Sequence, residues 1–186
     1  MNDVKNFGLY DSTFEKSSCG VGFLTRKDGK QTHELLVKGH EALCAVPHRG
    51  GMSAEGVGDG AGVSIDLSVT FFSRVVGTSL VAGEFGVGNF FLPNNKSQHG
   101  RAKKLIDDAL KSEGMVTLIT RSVDVDNSVL RPAAIKYQLP IAQWVFAAPK
   151  GIRGAAIEKR IHKALLSIES EAYIDEDLDG MYPLSM

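Results

Sequence analysis

The chain has 186 residues, enough for one medium domain, or part of a larger one, with a real apolar core. Hydrophobic residues make up 43% and charged residues 23%, which excludes a wholly disordered polypeptide. The net charge of -1, from 21 Lys and Arg against 22 Asp and Glu, gives no pull toward nucleic acid or an anionic membrane surface.

No apolar run approaches the ~18 residues that a bilayer span needs. The first twenty residues lack the basic start and unbroken apolar stretch of a secretory signal, so a cytoplasmic address is the default expectation. Residues 1–18 show no sustained period, and isolated Phe7, Tyr10 and Phe14 suggest an extended leader partly docked by its aromatic rings. Val21, Phe23 and Leu24 predict a short buried strand over 21–25, and Asp28-Gly29 then signals a turn. From Thr32, apolar residues at Leu35, Leu36, Gly39, Ala42, Leu43 and Val46 follow helical spacing until Pro47. Residues 48–62 form a glycine-dense loop, and Val63 and Ile65 alternate with Ser64 and Asp66 as a strand would over 61–67.

A short helix carrying Phe71 and Phe72 and a strand over 86–92 come next. Ala102, Leu105, Ile106, Ala109 and Leu110 mark an amphipathic helix over 98–113, closed by Gly114. Strands are predicted at 115–120, rich in β-branched residues, and at 141–147, after Pro140. Ile157, Ile161, Ala164, Leu165 and Ile168 give a last amphipathic helix. Residues 175–179 form an acidic stretch expected to be a solvated loop, and 181–186 begin one more strand. The result is a mixture of helices and strands, with no internal repeat and no visible linker.

Two cysteines are too few for a disulfide scaffold, and no second pair completes a four-ligand zinc set. Cys44 lies in an apolar helical pattern and is expected to be a small buried hydrophobe. His33, His40, His99 and His162 are expected at the surface, His48 reads as structural, and no metal site is predicted. The run Gly56-Val57-Gly58-Asp59-Gly60-Ala61-Gly62 resembles a dinucleotide fingerprint only superficially. That fingerprint follows a strand and opens a helix, whereas this run follows a polar loop and leads into a predicted strand.

Cys19 stands where the irregular leader gives way to Gly20-Val21-Gly22-Phe23. Only a thiolate attacks efficiently, and no histidine is placed nearby by sequence. Removal of residues 1–18 would free an α-amino group, with a pKa of ~7.7–8.0, on the cysteine itself. The alternative is an inert buried thiol, which spacing alone favours.

Several segments, taken in order, resemble a known family. Leu9-Tyr10-Asp11, Phe14-Glu15-Lys16, Cys19-Gly20-Val21-Gly22-Phe23, Glu41-Ala42-Leu43-Cys44, His48-Arg49-Gly50 and Gly58-Asp59-Gly60-Ala61-Gly62 are similar to the start of glutamate synthase large subunits. Residues 123–130 and Pro140-Ile141-Ala142-Gln143 continue the resemblance. It implies an α+β class-II glutamine amidotransferase domain with the N-terminal-nucleophile fold, a four-layer αββα sandwich, here incomplete. The leader would be 1–18 and the domain 19–186. Cys19 would be the nucleophile that hydrolyses L-glutamine through a γ-glutamyl thioester, and the ammonia would serve glutamate synthesis from 2-oxoglutarate.

The resemblance places Arg49 beside Cys19 as a site-ordering cation, or else as a structural arginine bonding loop carbonyls. It gives Gly50 and Asp59 a loop-ordering place. It implies no cofactor in this chain, with FMN and an iron–sulfur cluster in a separate synthase domain. Partners would be the rest of the large subunit and a small reductase subunit or ferredoxin. The family's oxyanion-hole Asn-Gly pair and its glutamine-gripping arginine and aspartate fall beyond Met186, so the isolated chain is expected to turn over little. Two other readings remain: a non-catalytic interaction or folding module, and an amidotransferase serving a different acceptor.

Overall fold

The computed structural model describes residues 21–45, 58 and 60–186. Contacts group the chain into two units, Met1–Asp66 and Leu67–Met186, a division that no shift in composition announces.

In the first unit, the Asp28-Gly29 turn forms as expected. Gly29 adopts φ +66°, and the Asp28 carboxylate accepts from Arg26 Nε at 2.9 Å, Arg26 Nη2 at 2.8 Å and Lys30 N at 3.2 Å. The Arg26 guanidinium thereby holds the Asp28 carboxyl below the usual carboxylate range. Helix α1 spans His33–Cys44, and its N-cap Thr32 accepts from Leu35 N through its hydroxyl at 3.3 Å. Two expectations fail here. Residues 21–25 and 61–67 form no strand, and Val21, Phe23, Val63 and Ile65 are exposed. Alternation selects a strand only when a neighbour completes the ladder, and among the described residues none does. The helix itself is correct, but none of its residues is buried.

The second unit holds a four-stranded antiparallel sheet in the order β2-β3-β1-β4. The strands are β1 (Phe85–Phe91), β2 (Val116–Ser122), β3 (Ile141–Ala147) and β4 (Tyr182–Ser185). Helix α2 (Val69–Val76) precedes β1, α3 (His99–Ser112) joins β1 to β2, the one-turn α4 (Pro132–Ile135) lies before β3, and α5 (Ala155–Ile174) joins β3 to β4. The β-α-β-β-α-β order is two interleaved split crossovers, each spanning one strand of the other. The main core lies where α3 and α5 cover one sheet face: Ile106, Leu110, Trp144, Phe146 and Ile168 are all fully enclosed. Each such aliphatic side chain contributes roughly 1.5–3 kcal/mol by leaving water.

Two glycines shape that face. Gly86 is paired directly with Phe146, and a Cβ at Gly86 would lie 2.5 Å from the Phe146 ring. A Cβ at Gly88 would lie 2.6 Å from the ring of Phe90. Glycine in β1 therefore lets both rings lie flat on the strand. On the opposite face, α2 places Phe72 against Phe85, Val87 and Val145. The helix is capped by Ser68 and ends at Gly77 with φ +81°.

The sequence-predicted helices over 98–113 and 157–168 and the strands at 86–92, 115–120, 141–147 and 181–186 are all present, with shifted ends. In the acidic stretch Glu176, Asp177 and Asp179 are exposed as expected, while Glu176–Leu178 form a 3-10 turn with Leu178 buried, and Arg101 Nε donates to Asp175 at 2.5 Å. The mixed helices and antiparallel sheet make the chain α+β. Among the described residues no helix is long and apolar enough to cross a membrane.

Candidate functional site

Cys19, Arg49, Gly50 and Asp59, the residues with proposed roles, lie outside the described residues, as does His48. Their flanks are visible. The chain is described from Val21, two residues after the cysteine. Helix α1 ends at Cys44, ahead of the His-Arg-Gly motif. Immediately after Asp59, Gly60 adopts φ +84°, a conformation that residues with a Cβ rarely take. At Gly60 the glycine run thus answers a backbone requirement. It opens no helix, since the next one starts only at Val69, so the dinucleotide reading fails on geometry.

Cys44 corrects an expectation: its thiol is exposed, with Sγ 3.7 Å from His40 Nε2 one helical turn back. An apolar pattern buries a thiol only where something packs on that helix face, and α1 has no buried residue. His33, His40 and His162 are exposed as expected, whereas His99 is half-buried and bonds the Pro93 carbonyl oxygen at 2.7 Å. No group of three His, Cys, Asp or Glu able to hold a metal occurs among the described residues.

The two downstream motifs are both resolved. In 123–130, the Asp126 carboxylate accepts from the Ser128 hydroxyl at 2.6 Å and the Ser128 amide at 3.0 Å, capping a 3-10 turn. The Ser128 hydroxyl is the main cause holding the Asp126 carboxyl below its ordinary value. In Pro140–Gln143, Gln143 sits in the middle strand pair of the sheet, on the face that α2 half covers. Arg121 Nε donates to Gln143 Oε1 at 2.8 Å, Gln143 Nε2 donates to Asn89 Oδ1 at 2.8 Å, and Asn89 Nδ2 donates to Ser185 Oγ at 2.9 Å. One polar chain therefore crosses all four strands, ending with the Arg121 guanidinium 5.7 Å from the ring centre of Phe71. Sequence reasoning missed this chain. Its signal was a glutamine at the centre of an otherwise apolar strand, a buried polar residue that must find partners.

The family model of class-II glutamine amidotransferases matches residues 19–186. Over 145 residues the chain is 33% identical to a glutamate synthase [NADH] of Saccharomyces cerevisiae, with 73% of this chain and 7% of the relative covered. It is 33% identical over 142 residues to the glutamate synthase [NADPH] large chain of Bacillus subtilis, covering 75% of this chain and 9% of that one. With ferredoxin-dependent glutamate synthase 2 of Synechocystis it shares 32% identity over 155 residues, covering 81% and 10%. The chain belongs to the class-II glutamine amidotransferases.

Within that family it is a glutaminase-domain segment like those of glutamate synthase large chains, and glutamine is the substrate of such domains. It spans about a tenth of the length of the relatives it matches. The matched region starts at Cys19, so the expected leader lies outside it. All three site segments, at Cys19, Arg49-Gly50 and Asp59, lie inside it.

Proposed function

We propose that Cys19 is the nucleophile of a glutamine-hydrolysing site that supplies ammonia for glutamate synthesis from 2-oxoglutarate. The observation carrying this reading is the family match that begins at Cys19 and spans the chain to Met186. Removal of residues 1–18 would leave Cys19 with a free α-amino group. That amine takes the thiol proton, and the thiolate attacks the side-chain amide carbon of glutamine. The tetrahedral adduct collapses as the protonated amine returns its proton to the departing nitrogen, releasing ammonia and leaving a γ-glutamyl thioester. The amine then draws a proton from water, and hydroxide attack on the thioester releases glutamate and restores the thiol. Arg49 orders the site with a fixed cation and planar donors, while Gly50 and Asp59 shape the loops around it. A reducing compartment such as the cytoplasm suits this chemistry because it keeps Cys19 a thiol.

The four-layer αββα sandwich belongs to the same reading. Beside α2, which covers Phe85, Val87 and Val145, the same sheet face bears Gln143, Asn89 and the stacked rings of Phe91 and Tyr182, and this remaining part is what a second sheet would cover. An iron–sulfur cluster takes several cysteine thiolates, which two cysteines do not supply. By resemblance to the glutamate synthases, a flavin, an iron–sulfur cluster and the reductase or ferredoxin contact would belong to a separate synthase domain.

The test is labelling with a diazoketone analogue of glutamine, followed by intact-mass and peptide analysis, on the chain co-expressed with the remainder of its domain. The expected product is a chain that begins at Cys19 and is alkylated there, with Cys44 untouched. Equal labelling of both thiols, or labelling of a chain that still carries Met1–Ser18, overturns the proposal.

A further inference from the structure

A cleft of about 160 Å³ opens between the start of α3 and the strands β2 and β3. Its residues lie between 92 and 144, at the side of the sheet remote from β4. Leu92, Ala142 and Trp144 form its buried apolar wall. Lys103 of α3 and Thr120 and Ser122 of β2 supply polar lining. The register explains why they meet. Thr120 and Ser122 pair with Trp144 and Ala142, so all four share the sheet face that α3 covers. Lys103 lies one helical turn beyond His99, on the same side of α3.

The hydrogen bonds around the cleft decide its sign. Among the described residues Lys103 enters no ion pair, and the hydroxyls of Thr120 and Ser122 have no partner. His99 also borders the cleft, but its Nε2 donates to the Pro93 carbonyl oxygen at 2.7 Å, since a carbonyl only accepts. Arg121 Nε is engaged by Gln143. Asp107, one turn beyond Lys103, accepts from Trp144 Nε1 and the Thr117 hydroxyl. No Asp or Glu lines the cleft. Three donors without acceptors, one of them a cation, thus converge beside an apolar wall.

We propose that this cleft binds a small oxyanion, the carboxylate or phosphate group of a small molecule, with Lys103 supplying charge and Thr120 and Ser122 supplying hydroxyl donors. A cation would meet no carboxylate there. A purely apolar ligand would take the three donors out of water without replacing their hydrogen bonds. The volume lies below the ~300 Å³ at which pockets for drug-sized ligands begin, which restricts the occupant to a small acid or a single phosphate group. None of these residues belongs to the Cys19 chemistry, so the proposal is independent of the glutaminase reading.

The experiment titrates the isotope-labelled full chain with sodium phosphate, sodium acetate and sodium chloride at matched ionic strength, and follows the amide shifts by NMR. The expected result is that phosphate or acetate gives saturating shifts at Lys103, Thr120 and Ser122, and that chloride does not. The tighter of the two then tells a phosphate site from a carboxylate site. Lys103→Met, at an exposed position whose change leaves folding intact, should weaken binding about fivefold. Thr120→Val, which keeps the shape and removes the hydroxyl, should weaken it by a similar factor. Lys104→Met, at a neighbouring lysine already paired with Asp108, should change the affinity by less than about twofold. The proposal is overturned by equal shifts with chloride, by shifts that do not saturate, by saturation elsewhere in the chain, or by a loss in Lys104→Met as large as that in Lys103→Met.

Discussion

Trp144 Nε1 donates to Asp107 Oδ1 at 3.0 Å, tying the fully enclosed indole of β3 to a carboxylate on α3. The same oxygen accepts from the Thr117 hydroxyl on β2 at 2.8 Å, so one atom fastens the helix to two strands. An indole N–H taken out of water needs a partner, and here it has a charged one. Asp107→Ala should destabilise the chain by about 2 kcal/mol, because it leaves that donor buried and unpaired. Asp107→Asn, which keeps an acceptor, should lose less. Urea unfolding followed by the fluorescence of Trp144, the sole tryptophan, measures both. Equal effects of the two substitutions would show that the carboxylate oxygen does not hold the indole.

The close approach of Gly86 to Phe146 gives a second prediction. Gly86→Ala places a methyl group 2.5 Å from the ring and 3.3 Å from Ile161 Cδ1, in a core with no room to give. The expected loss is about 1–3 kcal/mol, as for overpacked cores generally. Gly100→Ala is the control. Nothing lies within 4 Å of its Cβ, and it sits inside α3, so removing a flexible residue should stabilise by about 0.5 kcal/mol. Thermal unfolding should move the two variants in opposite directions.

The chain from Arg121 to Ser185 predicts how Gln143 responds to substitution. Gln143→Leu strands Arg121 Nε and Asn89 Oδ1 together and should cost about 1–2 kcal/mol. Gln143→Glu should cost less. It keeps the acceptor for Arg121, and Asn89 can turn its amide to donate while the Ser185 hydroxyl turns to donate in its place. Chemical denaturation ranks the three proteins, and a glutamate variant as weak as the leucine variant would contradict a chain able to reverse.

Much of the second unit was legible because its elements pair with their own neighbours. Ile141–Ala147, apolar but for Gln143, becomes the inner strand β3, and the 3.6-residue spacing of Ala102, Ile106, Ala109 and Leu110 becomes the buried stripe of α3. The split crossover order was not legible, since periodicity names elements and leaves their pairing open. In the first unit the same kind of signal misled. Val63 and Ile65 alternate, and Leu36 sits on a helical stripe, yet all three are exposed, because an apolar pattern states what a segment can bury and not what covers it. Of the candidate site, the ordered motifs carried the family assignment, while the placement of Cys19, Arg49, Gly50 and Asp59 lies outside the described residues. The polar chain through Gln143 depended on cross-strand register, which residue type alone does not reveal.

The exposed thiol of Cys44 sets a condition on any labelling of Cys19. An accessible thiol reacts with general reagents irrespective of a binding site. A maleimide should therefore modify Cys44 in the native chain, and Cys44→Ser should remove that adduct without loss of stability, since the side chain is exposed. Native mass spectrometry before and after unfolding measures the reaction. A Cys44 that reacts only once the chain is unfolded would mean that α1 is covered after all.

Glu34 and Lys38, one turn apart on α1 and 2.8 Å from each other, give a dependence on pH. The hydrogen bond from the Lys38 ammonium is the main cause lowering the Glu34 carboxyl below its ordinary value. A carboxyl whose pKa is lower in the folded chain than in the unfolded one stabilises the fold above the unfolded value, ~4.3, and loses that contribution as the pH falls through the folded value. The effect on α1 should therefore be constant at neutral pH and decline as the pH falls below the value of an unfolded glutamate. Carbon-detected NMR titration of the Glu34 carboxyl should show a midpoint below that of a free glutamate, and Lys38→Met should return it to the free value. A Glu34 midpoint indifferent to Lys38→Met would show that the pair does not persist in solution.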